Sequence, residues 1–179
     1  SQCPMQPSEI ARAVEARLGP AEQLFEDLAN RTRDVEGVTR PAWSERDRIA
    51  AALVAEAARS AGLEIDEDFA GNVYMTLPGT DRSAPAVLTG SHLDSVPRGG
   101  NYDGAAGIVA GLTALAALKG LGVTPPCNLR AVALTGEESV WYGIAYLGSR
   151  LAVGTLPLPD LDRLRRSDTG GTLAEHMRM

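Results

Sequence analysis

Residues 86–119 read AVLTGSHLDSVPRGGNYDGAAGIVAGLTALAALK: a short apolar run, a glycine-punctuated acidic loop, and a long apolar run. The first run, residues 86–90, has the length and composition of a buried strand. The last, from Gly104 to Lys119, has the length of a helix and is apolar on nearly every side, which predicts burial. Gly107 and Gly111 lower its helix propensity, so they are expected where the helix packs closely on a sheet. Residues 128–135, NLRAVALT, supply a further strand, so strand, buried helix and strand follow one another.

Upstream, Ser8 is expected to cap a helix carrying Ile10, Val14 and Leu18, broken at Gly19-Pro20. A second amphipathic run carries Leu24, Phe25 and Leu28 to about Asn30. Ser44, with Asp47 three residues on, resembles a capping box. Ile49, Leu53, Val54 and Ala57 then mark a helix face, and Gly62 a stop. Residues 63–79, LEIDEDFAGNVYMTLPG, read as a strand, a turn at Ala70-Gly71-Asn72, and a strand over Val73–Leu77. Helices interleaved with a sheet indicate an α/β layer fold.

The bulk figures agree with one globular domain: 179 residues, 44% hydrophobic and 22% charged. The net charge of −6 argues against nucleic acid as a partner. Cys3 and Cys127 lack metal-type spacing and are expected as free thiols. No apolar run approaches the ~18 residues of a membrane span, and residues 1–10 lack the apolar core of a secretory signal. A cytoplasmic protein with no membrane partner is the expectation.

The chemistry gathers after two predicted strands. SHLDSV carries His92 and Asp94, with Asp103 after the glycine-rich loop. TGEESVW carries Glu137 and Glu138. Ligands of open α/β sheets bind beyond the carboxyl ends of strands, so the two stretches are expected to meet. One imidazole and four carboxylates suit a divalent cation such as zinc, manganese or cobalt. Without one, clustered carboxylates resist joint ionisation. Asp94, two residues past His92, falls on the same side of an extended backbone and could accept the second ring N–H. A histidine after a strand, a glutamate pair and a glycine turn each also have ordinary structural uses. On spacing alone, a metal centre and an acidic loop both remain open. Residues 99–107 match neither common phosphate-loop pattern.

Four segments carry a resemblance: GVTRPAWSERD (37–47), DFAGNVYMTLPG (68–79), GSHLDSVPRGGNYDGAAGIVAGL (90–112) and EESVWYGIAYLGSR (137–150). The chain resembles the N-carbamoyl-L-amino acid hydrolase, β-ureidopropionase and allantoate amidohydrolase family, within the two-metal aminoacylase and carboxypeptidase superfamily. The resemblance implies a three-layer, zinc-exopeptidase-like α/β catalytic domain with a central mixed sheet. It implies two divalent ions, zinc or else manganese or cobalt. His92 would bind one ion, Asp103 would bridge both, and Glu138 would bind the other. Glu137 would be the general base and Asp94 would orient His92. The implied reaction is hydrolysis of a carbamoyl C–N bond in a small linear amide. An N-carbamoyl amino acid would give the amino acid, carbon dioxide and ammonia.

Family members are about twice as long. The resemblance therefore implies that residues 1–179 are the N-terminal portion of the catalytic domain. The rest of that domain, its later histidine ligands and the dimerisation domain would be absent, and this chain alone would bind metal weakly and show little or no turnover. A homodimer is implied for the longer protein. Ser139-Val140-Trp141-Tyr142 stands where the family commonly has a Gly-Ser-Arg-Phe-like stretch. Trp141 and Tyr142 could line a more apolar pocket, which would suit an N-acyl amino acid or dipeptide. A third reading is a non-catalytic module with an exposed apolar surface. His176 is expected at the surface.

Overall fold

The structure is a computed structural model that describes residues 5–178. Cys3 lies outside the described residues, and Cys127 is a free, half-buried thiol.

Two helices, α1 (Pro7–Glu15) and α2 (Leu18–Thr32), open the chain. The first begins one residue ahead of Ser8. Pro7 takes the first helical position, and the Glu9 carboxylate accepts the Gln6 N–H at 2.8 Å. Gly19 and Pro20 lie in the first turn of α2, where a missing N–H costs nothing. α3 (Glu45–Ser60) starts at the expected cap, with Ser44 Oγ accepting the Asp47 N–H at 3.2 Å. The capping box is not closed, because the Asp47 carboxylate turns inward to the Trp43 N–H. Gly62, at φ +78°, ends the helix.

β1 (Glu64–Glu67) and β2 (Val73–Leu77) form the expected hairpin. β3 (Val87–His92) leads through the acidic loop into α4 (Ala105–Gly120) and then β4 (Leu129–Leu134). The sheet runs β1-β2-β4-β3, with β3 parallel to β4 and the other pairs antiparallel. It is mixed, as expected. Short helices α5 (Leu147–Ala152), α6 (Asp160–Arg163) and α7 (Leu173–Met177) follow.

Strand alternation puts Val73, Met75, Leu77, Ala131 and Ala133 on one face. These pack with Val54 of α3 and Ile108 and Leu112 of α4 into the main core. A Cβ on Gly107 would lie 2.7 Å from the Ser91 Cβ, and one on Gly111 would lie 3.1 Å from the Ala131 Cβ. Both glycines are the close-packing points expected of them. α4 is less enclosed than its composition predicts, because Ala106, Ala110 and Ala114 form an exposed stripe. β3 also departs from expectation. It is an edge strand, and Val87 and Leu88 are 58% and 54% exposed. An apolar run reports a strand suited to burial, not one that its neighbours have covered.

A second core gathers Trp43, Ala70, Trp141, Tyr142, Leu147 and Leu173. Trp141 Nε1 donates to the Ser95 carbonyl at 2.8 Å, and Tyr142 packs edge-on against Trp43. Both aromatics are buried in this second core rather than exposed at the surface. His176 is likewise not a surface residue. It is 6% exposed, with Nδ1 at 3.0 Å from the Tyr142 hydroxyl and Nε2 at 3.0 Å from Thr169 Oγ1. A Thr172–Glu175 capping box sets α7 so that the ring turns inward.

Candidate metal centre

The parallel ladder of β3 and β4 ends at the pair His92–Leu134 and continues through the Leu93 N–H to the Leu134 carbonyl. The residues just beyond both strands therefore emerge side by side. One ligand atom from each of His92, Asp103 and Glu138 lies within 4.8 Å of the others. His92 Nε2 is 3.9 Å from Glu138 Oε1. His92 and Glu138 are half-buried and Asp103 is exposed, so the group opens to solvent on one side.

The loop between His92 and Asp103 is fixed at several points. His92 Nδ1 lies 2.8 Å from the Asp94 carbonyl oxygen. A carbonyl only accepts, so Nδ1 carries the proton and the neutral ring keeps its lone pair on Nε2, facing Glu138. The Asp94 carboxylate is further away, 3.6 Å from Nδ1. Its direct partners are the backbone N–H groups of Glu137, at 3.0 Å, and Glu138, at 2.9 Å. Asp94 is fully buried. It orients His92 mainly through its backbone, and its side chain ties the two strand-end stretches together. Sequence spacing predicts the proximity but not this second bond set.

Burial alone would lower the His92 imidazole. The Asp94 carboxylate and carbonyl, with Glu138 beside the ring, outweigh it and hold the group up at about 9. Burial pushes the Glu138 carboxyl up, and Asp103 and Asp94 add to the rise, while His92 opposes it. Two carboxylates held this close to one imidazole carry a repulsion that a bound cation would relieve. The set of one imidazole and two carboxylates suits a zinc-like or manganese-like ion.

Glu137 stands apart from the three. Its carboxylate accepts the Ser149 N–H at 2.8 Å and the Ser149 hydroxyl at 2.5 Å, on the first turn of α5. Behind the group lie residues that motif spacing does not reveal. Asp47 is fully buried and bonds the Thr135 hydroxyl and the Trp43 N–H through one oxygen. Its other oxygen has no partner among the described residues. Burial and the Asp94 charge push the Asp47 carboxyl up to about 7. Arg40 is also fully buried. The local sequence signals for these two are a charge before a proline at Arg40 and an acid at the third position of a helix at Asp47.

Comparison with known proteins identifies the relatives of the chain. Residues 72–158 match Peptidase family M28, a span that includes His92, Asp103 and Glu138. The N-carbamoyl-L-amino acid amidohydrolase of Geobacillus stearothermophilus is 41% identical over 142 residues, 79% of this chain and 34% of that protein. The chain belongs to the carbamoylase-type amidohydrolase family. The ureidoglycolate hydrolase of Arabidopsis thaliana is 37% identical over 123 residues, 69% of this chain and 26% of that protein. A hydantoinase/carbamoylase family amidase from Burkholderia ambifaria superposes with a TM-score of 0.77 at 34% identity. That match covers 88% of this chain and 40% of the amidase. The chain thus spans about a third of the length of the curated family members it matches.

Proposed function

We propose that this chain carries one half of the active site of a metal-dependent amidohydrolase that cleaves a ureido C–N bond. The observation that carries the reading is the convergence of His92, Asp103 and Glu138 at the ends of parallel strands. The similar proteins named above act on N-carbamoyl amino acids and ureidoglycolate, and allantoate is hydrolysed by another, 36% identical over 141 residues. These molecules share a ureido nitrogen on the carbon that bears a carboxylate.

His92 through Nε2, Asp103 and Glu138 would hold the cation, with Asp103 open to share a second. Zinc, manganese or cobalt would supply Lewis-acid polarisation of the ureido carbonyl and acidify water there. Glu137 is the proton carrier. It takes a proton from the attacking water and delivers it to the leaving amine. For that role its carboxylate must leave Ser149 for the side where Glu138 lies. Asp94 keeps the Glu137 backbone in place while the side chain moves. For a full-length protein the proposal includes a cytoplasmic homodimer.

The test is turnover of N-carbamoyl amino acids, ureidoglycolate and allantoate by a full-length protein that contains this chain, with added Mn²⁺ or Zn²⁺, with and without chelator. Metal-dependent release of ammonia that Glu138→Gln abolishes is the expected result. Activity that survives chelation would sink the reading. A second reading is favoured by the Ser149 contact of Glu137. In it, the chain binds one ion without hydrolysing anything, and metal uptake with no turnover supports it.

A further inference from the structure

Arg40 is the largest fully buried side chain in the protein. Among the described residues, no carboxylate comes within ion-pairing distance of its guanidinium. Its charge is instead balanced at longer range by Asp47, Asp94 and Asp103. A buried cation left with neutral partners is costly unless the fork serves another end.

Its partners show that end. Nε donates to the Leu93 carbonyl at 2.6 Å, one residue past His92. One terminal nitrogen lies 3.3 Å from Asn101 Oδ1 and the other 3.5 Å from the Asn101 carbonyl, two residues before Asp103. The Arg40 backbone pairs with Ser95 in both directions: its N–H reaches Ser95 Oγ at 3.0 Å, and its carbonyl accepts the Ser95 N–H at 3.0 Å. Asn101 is anchored in turn by its side-chain N–H to the Phe25 carbonyl at 2.9 Å. One side chain, more than fifty residues away in sequence, therefore grips both flanks of the loop that spaces His92 from Asp103.

We infer that Arg40 is a positioning residue that holds the His92–Asp103 loop in its cation-ready shape before any ion arrives. This rests on the metal-centre reading above. Two effects of Arg40 oppose each other. Its positive charge beside Asp103 disfavours a second cation, while its fork spares the loop the entropy of ordering on binding. Lysine keeps the charge and loses the fork, so Arg40→Lys isolates the geometric effect. Asn101→Ala leaves the arginine intact and removes one side-chain partner.

The experiment titrates the metal-free chain with Mn²⁺ alone by calorimetry. It also follows amide hydrogen exchange at Ser95, Gly99 and Asp103 without metal. Both variants are expected to bind Mn²⁺ roughly 10–100-fold more weakly. Both should exchange faster at those three amides, while β1 and β2 stay unchanged. Leu173→Ala, a truncation in the second core, which contains no residue of the loop, should lower the melting temperature and leave both readouts alone. Wild-type affinity and wild-type loop exchange in folded Arg40→Lys and Asn101→Ala would overturn the inference. So would tighter binding in Arg40→Lys. If the wild-type chain takes up no Mn²⁺, the metal-centre reading itself fails, and the exchange arm decides whether Arg40 clamps the loop.

Discussion

Gly104 lies directly against His92: a Cβ there would stand 2.4 Å from the His92 carbonyl oxygen and 2.6 Å from its Nδ1. The position also sits at φ +66°, where a side chain is strained. Gly104→Ala is therefore expected to lower stability by about 1–3 kcal/mol. It should weaken Mn²⁺ binding at least ~10-fold by displacing the ring. Denaturant melts and calorimetry on the same preparation read both effects. An unchanged affinity would mean that the ring position does not matter to the ion.

Asp94 should be harder to replace than its distance from His92 suggests. Asn keeps the shape but offers one acceptor oxygen to the two N–H groups of Glu137 and Glu138. Leaving one buried donor unmatched costs about 1–3 kcal/mol. The lost charge also removes the main support of the His92 proton. In metal-free Asp94→Asn, the His92 titration followed by NMR should move from about 9 down toward the ordinary histidine range. A midpoint that stays put would assign the rise to Glu138 instead.

A cation must displace that proton. In metal-free protein near neutral pH, His92 is protonated, because its midpoint lies at about 9. Uptake of Mn²⁺ should therefore release roughly one proton per ion. The calorimetric enthalpy should change with the buffer's own ionisation enthalpy, and affinity should climb with pH up to about 9. Chelator should reverse both. A buffer-independent enthalpy would place the ion elsewhere.

The folding stability of the metal-free chain should also carry the mark of Asp47. Its carboxyl is raised from 3.8 to about 7, so the folded chain binds the proton more tightly than the unfolded chain. The stabilisation is complete below the unfolded value and is lost as pH rises from about 4 through about 7. By linkage the loss is on the order of 4 kcal/mol. Asp47→Asn should flatten this segment of the stability–pH curve, measured by urea melts. Parallel curves for the two proteins would show that Asp47 is ionised throughout.

The strands, the buried helix and the strand-end location of the chemistry were legible in the sequence. Each rests on a local pattern: period-two or continuous apolar runs, a cap at Ser44, stops at Gly62 and Gly71. The meeting of the two stretches was legible because parallel strands bring their carboxyl ends together, whereas the choice of His92, Asp103 and Glu138 within them came from the family resemblance. What remained hidden depends on contacts across long separations. Leu88 looks buried by type, yet it lies on an edge strand and is exposed among the described residues. His176 looks like a tail residue, yet Tyr142 draws it inward. The Asp94 bonds to Glu137 and Glu138 join residues more than forty positions apart, and no local pattern encodes them.

Those bonds have a consequence for the Glu137–Glu138 pair. With both N–H groups pinned, the dipeptide is a fixed pivot, and its side chains leave toward different partners, Glu138 toward His92 and Glu137 toward Ser149. The division of labour between two chemically identical residues is then a matter of reading frame along the backbone. One residue inserted between Thr135 and Glu137 would slide the pair along the pivot and bring Glu137 to the place that Glu138 now holds, although every side chain of the motif would still be present.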